Sequence, residues 1–233
     1  MAMRTTDEGI LLHRINYSDS SLILTFFTNK HGLQKFIYKG GKKRAHNLFP
    51  LSICELTYYH KPERDLQNLT AAESNFNTTF QFNPIRSSIA FFVAEIIRKC
   101  SAPMQEDGQL YNFLKRNIAS LNETDKVQLF PILFCLELSA HLGFQPQCNQ
   151  SDASLFNLES GTFQVMDDPH SKIRKGEGAE LIKALLLSDN PAAISIHDGR
   201  KEALEILLEY FSIHVPNFET VESYDIVRAV LND

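Results

Sequence analysis

Apolar positions along the chain follow two different periods. Up to about residue 80 they fall in short alternating runs, at 9–17, 21–28, 33–39, 51–59 and 66–72, separated by turn-forming groups such as Ser18-Asp19-Ser20 and Asn29-Lys30-His31-Gly32. Gly32 stands where a tight turn needs a positive φ. Five short strands predict a small barrel. A three-strand meander, a longer connection and a closing hairpin are compatible with the five-stranded OB-fold, whose strand 2 and 3 face commonly binds oligonucleotides. An SH3-like barrel shares the same periodicity. In the third strand Leu33, Lys35 and Ile37 alternate with Gln34, Phe36 and Tyr38, so neither face is purely apolar. Phe36 or Tyr38 is therefore a candidate platform for base stacking.

From Pro84 the period becomes 3.6. Ile85, Ile89, Phe92, Val93, Ile96 and Ile97 form one helical stripe, with Pro103 beyond its end. Leu110, Phe113, Leu114 and Ile118 form a second. A third helix, from about residue 124 to 142, is apolar nearly all round and ends at Gly143, as the buried centre of a bundle would. Further helices are predicted near 176–187, 198–214 and 225–231. Between them, residues 152–167 read as a hairpin turning at Glu159-Ser160-Gly161. The expected fold class is α+β: an N-terminal barrel domain over residues 1–80, then an α-helical bundle domain over 81–233 with the hairpin as an insertion.

Charge adds a function to this outline. The chain of 233 residues has a formal net charge of -5, yet residues 20–54 contain no Asp or Glu. An even spread of acids would put about four there. The window instead holds Lys30, Lys35, Lys39, Lys42, Lys43 and Arg44, with His31 and His46 beside them. Its densest part is Tyr38-Lys39-Gly40-Gly41-Lys42-Lys43-Arg44. Paired glycines let a backbone approach a ligand closely, and cations suit phosphate. An isolated basic cluster is as often a solvated hairpin end; the missing acid on either side favours a binding surface.

Other chemistry is excluded by spacing. Gly40-Gly41-Lys42 is not a phosphate loop, because Phe36 stands where its first glycine should be and Lys43 replaces the magnesium-binding hydroxyl. Asp167, Asp168 and His170 share a loop with Pro169 and have no second cluster to complete a metal site. Cys54, Cys100, Cys135 and Cys148 lie far apart with no C-x-x-C spacing and read as free thiols. There is no nucleophile elbow and no H-E-x-x-H. No metal and no cofactor are expected, and the protein reads as a binder, not an enzyme. It lacks the apolar core of a signal peptide and any long apolar span, so a cytoplasmic location is expected.

Several segments, in order, resemble the bacterial recombination mediator and DNA repair family RecO. They are Gly9-Ile10-Leu11-Leu12; Tyr17-Ser18-Asp19-Ser20-Ser21-Leu22; His31-Gly32; Tyr38-Lys39-Gly40-Gly41-Lys42-Lys43; Leu48-Phe49-Pro50-Leu51; Leu66-Gln67-Asn68-Leu69-Thr70-Ala71-Ala72-Glu73; Ala94-Glu95-Ile96-Ile97; and Leu142-Gly143-Phe144-Gln145-Pro146. The resemblance implies an OB-fold packed on a helical domain, and a non-enzymatic protein that binds single- and double-stranded DNA. It further implies annealing of complementary strands and help in loading recombinase on gaps coated by single-strand-binding protein. The implied partners are the recombination protein RecR and the acidic C-terminal tail of single-strand-binding protein, and the implied location is the nucleoid. The expected DNA-binding residues are Lys35, Tyr38, Lys39, Lys42, Lys43 and Arg44. An acidic tail needs cations beside apolar residues, and the helical part offers Arg98 and Lys99, Lys115 and Arg116, and Arg200 and Lys201. Many members carry a four-cysteine zinc site after the Leu-Gly-Phe-x-Pro segment; here only Cys148 lies there, so zinc is not carried over. Two other readings fit the residues: an OB module binding RNA, and a helical protein–protein adaptor.

Overall fold

The computed structural model describes residues 3–44, 47–74, 80–101, 106–191, 194 and 198–231, so His46 and Pro103 lie outside the described residues. It divides into two compact units, Met1–Glu123 and Thr124–Asp233.

In the first unit, strands β1 (Met3–Asn16), β2 (Leu22–Thr28), β3 (Gly32–Tyr38), β4 (Ile53–His60) and β5 (Leu66–Ser74) close into a barrel in the order β1-β2-β3-β5-β4. Every pairing is antiparallel except β3 with β5, which runs parallel from Lys35 opposite Leu66 to Tyr38 opposite Leu69. That parallel closure, reached through a long connection, identifies the Greek-key barrel of the OB type and removes the SH3-like alternative. Alternation sends Leu22, Leu24, Phe26, Phe36 and Tyr38 inward, where they meet Leu11, Leu56, Tyr58 and Leu69. The rings of Phe26 and Phe36, and of Phe36 and Tyr58, meet edge to face at 5.8 and 4.9 Å. So narrow an interior leaves no space at Gly9, where a Cβ would lie 2.6 Å from Leu56 Cδ1. The β2–β3 turn has Gly32 at φ +58°.

Strand β1 begins at Met3, earlier than the predicted residue 9. Its first half pairs with β4, from Met3 opposite His60 to Ile10 opposite Ile53, and its second half pairs with β2. Pairing with β4 keeps the polar stretch Arg4-Thr5-Thr6-Asp7-Glu8 extended, although its composition carries little strand signal.

Helices α2 (Pro84–Cys100) and α3 (Gly108–Glu123) belong to this unit too. Asn83 caps α2, its Oδ1 accepting from the backbone N–H groups of Ile85 and Arg86 at 3.1 Å each. Phe91 of α2 meets Phe49 edge to face at 5.4 Å. On α3, the Tyr111 ring stacks on Phe27 at 6.4 Å and its hydroxyl donates to Glu8 Oε1 at 3.0 Å. These contacts explain why the compact unit extends to Glu123, whereas the sequence period changes near residue 80.

In the second unit, α4 (Phe130–His141) is the apolar centre, with Ile132, Phe134, Leu136 and Leu138 all buried. It starts later than predicted, because Pro131 suits only the first turn of a helix. Strands β6 (Leu155–Asn157) and β7 (Thr162–Gln164) form the expected hairpin, with Gly161 at φ +69°. A third strand, β8 (Ile173–Arg174), pairs with β6 on its other side. Phe156 stacks on Phe163 at 4.8 Å and leans on Tyr210 of α6 (Arg200–His214) at 5.3 Å. The Tyr210 hydroxyl donates to the Phe144 carbonyl at 2.5 Å. Helices α5 (Glu177–Leu187) and α7 (Tyr224–Val230) complete the unit. Among the described residues no helix is long and apolar enough to cross a membrane.

Candidate nucleic-acid interface

The cross-strand register sorts the outer surface of the barrel into rows. His13, Thr25 and Lys35 lie opposite one another across β1, β2 and β3, and the next outward row is Ile15, Ile23 and Ile37. Lys35 and His13 are exposed, and Ile15 is 44% exposed. Beyond the end of β1, Tyr17 is 60% exposed in the β1–β2 connection. Lys39 lies just past β3 and is exposed as well. Cations, aliphatic groups and one free aromatic ring thus share the face of strands 2 and 3.

The glycine-rich segment folds into a short helical turn, α1 (Gly41–Arg44), which sequence periodicity does not show. Gly40 takes φ +66°, a conformation that favours glycine. Gly41 lies flat on Tyr38: a Cβ there would sit 2.8 Å from Tyr38 Cδ1. The close approach that the glycines permit is therefore to the barrel's own ring and not to a ligand, which corrects their expected role. The Lys42 N–H donates to the Ser20 carbonyl at 3.2 Å, fastening α1 to the β1–β2 connection that carries Tyr17.

Tyr38 is only 3% exposed and Phe36 fully buried, so neither offers a ring to a base. The expected stacking platform is corrected on this point: both rings fill the barrel interior. Tyr17 is the exposed aromatic beside the basic turn, and alternation could not find it because it stands outside the regular strand. Arg44 is exposed but committed. Its guanidinium lies 4.5 Å above the Tyr38 ring, and it donates to the Thr70 carbonyl at 3.3 Å and to the Lys39 carbonyl. Its first task is to pin α1 to the barrel. Lys42 and Lys43 project from the same turn into solvent. Among the described residues no carboxylate lies within ion-pairing distance of Lys35, Lys39 or Lys42. Asp19, however, is exposed one residue before Ser20, at the edge of the patch.

The three pairs of cations expected to be candidates for the tail differ in their surroundings. Lys99 pairs with Glu95 at 3.7 Å, Lys115 with Glu8 at 2.7 Å, and Arg200 is buried at 7% exposure. Burial removes Arg200 as a rim cation, contrary to expectation, whereas Lys99 and Lys115 are each held by a carboxylate. Arg116 is exposed, and Arg98 and Lys201 are half-buried.

Charge is divided unequally between the units. Met1–Glu123 has 15 Lys and Arg against 11 Asp and Glu; Thr124–Asp233 has 8 against 17. Formal charges of +4 and -9 follow. A polyanion is attracted by the first unit and repelled by the second.

Among the described residues no group of three or more His, Cys, Asp or Glu could hold a metal ion. Burial pushes the Cys54 and Cys100 thiols up to about 12, which keeps them protonated and poor ligands. Where the family's zinc site would follow Pro146, Gln147 bridges to Thr162 and the Phe156–Phe163 stack fills the hairpin.

An OB barrel with a cationic, aromatic-bearing outer face, joined to an α-helical unit, defines a class of nucleic-acid-handling proteins. Comparison with known proteins narrows the class to a family. The model of the recombination protein O N-terminal region matches residues 1–76, and that of its C-terminal region matches residues 81–220. The chain therefore belongs to the recombination protein O family and has a role in DNA repair and recombination. It is 27% identical over 233 residues to the DNA repair protein RecO of Christiangramia forsetii, covering 96% of this chain and 97% of that protein. It is 28% identical to the proteins of the same name from Azobacteroides pseudotrichonymphae and Phocaeicola vulgatus, each over 236 residues, covering 97% and 96% of this chain and 98% of each relative.

Proposed function

We propose that the chain is a non-enzymatic recombination mediator that binds single- and double-stranded DNA on the outer face of strands 2 and 3 and on α1. The observation that carries this reading is the set of exposed lysines, Lys35, Lys39, Lys42 and Lys43, beside the exposed Tyr17 ring, in the unit of positive charge. Phosphates neutralise the lysines and release counterions, while a base stacks on Tyr17. Arg44 contributes by holding the turn in place.

Annealing follows from the same surface. Two strands repel through their phosphates, and a cationic face that binds both lowers that repulsion and raises the local concentration of each. The acidic second unit repels the strands and leaves their binding to the first. No bond is made or broken by the protein, so no catalytic residues are needed. The mediator role, with the recombination protein RecR and the acidic tail of single-strand-binding protein as partners, belongs to this reading. The charge division favours α2 and α3 over α6 for the tail, with Arg98 and Arg116 as its cations.

A strand-annealing assay with complementary oligonucleotides tests the proposal. Replacing Lys35, Lys39, Lys42 and Lys43 by Ala should slow annealing at least tenfold at low salt, while Asp189→Asn, an exposed change in the second unit, leaves the rate unchanged. Equal annealing by the four-lysine variant would overturn it.

A further inference from the structure

The second unit contains a groove that the DNA-binding reading does not use. It has a volume of about 620 Å³ and is lined by Glu205, Leu208 and Ser212 of α6, by Phe218, Glu219, Thr220 and Val221 of the following loop, and by Tyr224 of α7. Two features set its chemistry. Leu208, Phe218, Val221 and Tyr224 give it an apolar floor, and both charged groups in its lining are carboxylates.

The walls are built, not incidental. Asn217 takes φ +58°, a left-handed conformation uncommon outside glycine, and turns the chain directly before Phe218. Phe218 then packs on Phe211 at 5.7 Å. The Tyr224 hydroxyl donates to Glu205 Oε1 at 2.5 Å, which fixes that carboxylate at the groove. Glu205 and Glu219 are exposed, Glu222 and Asp225 follow on the same segment, and Ile226 of α7 is 57% exposed. The unit as a whole carries 17 Asp and Glu against 8 Lys and Arg.

We propose that this groove docks a cationic segment of a partner protein, with an apolar side chain seated on Leu208 and Phe218 and an Arg or Lys paired to Glu205 and Glu219. Charge complementarity selects this occupant. DNA and acidic peptides are repelled by the two carboxylates and by the negative field of the unit. A purely apolar segment would take both carboxylates out of water with no cation to offset the cost, leaving Glu205 only the Tyr224 hydroxyl. A guanidinium satisfies them, since its planar fork matches a carboxylate. The partner held here is thus of opposite charge to the ligand of the barrel, and one chain can hold DNA and a basic protein at the same time.

The test uses the full chain and a short fluorescein-labelled peptide of alternating arginine and leucine, with anisotropy as readout. Alternating glutamate and leucine, and alternating arginine and serine, serve as comparison peptides. The arginine–leucine peptide should bind best. Glu205→Gln with Glu219→Gln, which keeps an acceptor for the Tyr224 hydroxyl, should weaken it about tenfold or more. Leu208→Ala should weaken it independently, and Asp167→Asn with Asp189→Asn, exposed acids outside the groove, should leave it unchanged. Equal loss with the last pair would show mere attraction to net acidity and overturn the proposal. Absence of binding, or a preference for the glutamate peptide, would overturn it as well. So would sedimentation showing self-association that only the groove variants abolish, because the occupant would then be a second copy of this chain.

Discussion

Gly41 separates two explanations of the basic turn, and its replacement by alanine is the sharpest local perturbation. A Cβ at this position would lie 2.8 Å from Tyr38 Cδ1 and 3.1 Å from Tyr38 Cγ. The ring cannot yield, because it is 3% exposed and belongs to the barrel core with Leu22 and Phe36. The turn must move instead. That movement strains the Lys42–Ser20 hydrogen bond and lifts Arg44 from the ring that it covers at 4.5 Å. Overpacking of this kind costs about 1–3 kcal/mol. For a unit of this size each kcal/mol lowers the melting temperature by about 3–5 °C. Gly41→Ala should therefore reduce Tm by about 3–15 °C, as followed by circular dichroism or differential scanning fluorimetry. DNA affinity should fall with it, because Lys42 and Lys43 are displaced without loss of charge. If the glycine instead served a close approach to phosphate, affinity would fall with Tm unchanged. An unaltered Tm would refute the packing argument.

Three further outcomes follow. Asp19→Asn removes the exposed carboxylate at the edge of the patch and should tighten single-stranded DNA binding by about two- to fivefold at low salt, fading as screening grows; anisotropy titrations check it, and a weaker variant would contradict the placement of the patch. His60 has its pKa lowered, first by burial and then by the neighbouring His31, whose ring stacks on it at 4.2 Å. A lowered folded-state pKa means that its contribution to stability is present above about 6.5 and is lost as pH falls through the folded value. His60→Gln should accordingly flatten the decline of Tm between pH 7 and 5, and an unchanged slope would show that the histidine pair is not responsible. Elemental analysis of the purified protein should find no stoichiometric zinc, because Cys54, Cys100 and Cys135 lie in three separate elements and none of these contains Cys148; one tightly held zinc per chain would overturn that assignment.

The elements were largely legible where apolar residues repeat with a clean period. All five strands, the helices at 84, 108, 176 and 200, and the hairpin turning at Gly161 lie close to where alternation or the 3.6 period put them. The polar start of β1 was not legible, because its extended form comes from pairing with β4, remote in sequence, and not from its own residues. Neither was α1, a turn that rests on Tyr38 but is fastened to Ser20 and Thr70, partners remote in sequence. The same limit applies to the site. Lys35, Lys39 and Lys42 could be picked as exposed cations from charge alone. Which aromatic ring faces solvent depends on the direction of the barrel wall, and that made Tyr38 a core residue and left Tyr17 outside. Ion pairing is equally invisible along the chain: Lys115 is neutralised by Glu8, more than a hundred positions away.

The central claim is that phosphates bind the lysines on the outer face of the barrel, and the salt dependence of single-stranded DNA binding measures this most directly. On single strands each phosphate contact contributes about 0.7 to the slope of log affinity against log salt. Replacing Lys35, Lys39, Lys42 and Lys43 by Ala should make that slope shallower by about 3, whereas Lys172→Ala and Lys175→Ala, exposed in the second unit, should not change it. A slope that stays the same in the four-lysine variant, or that falls equally with the second-unit lysines, would contradict the account.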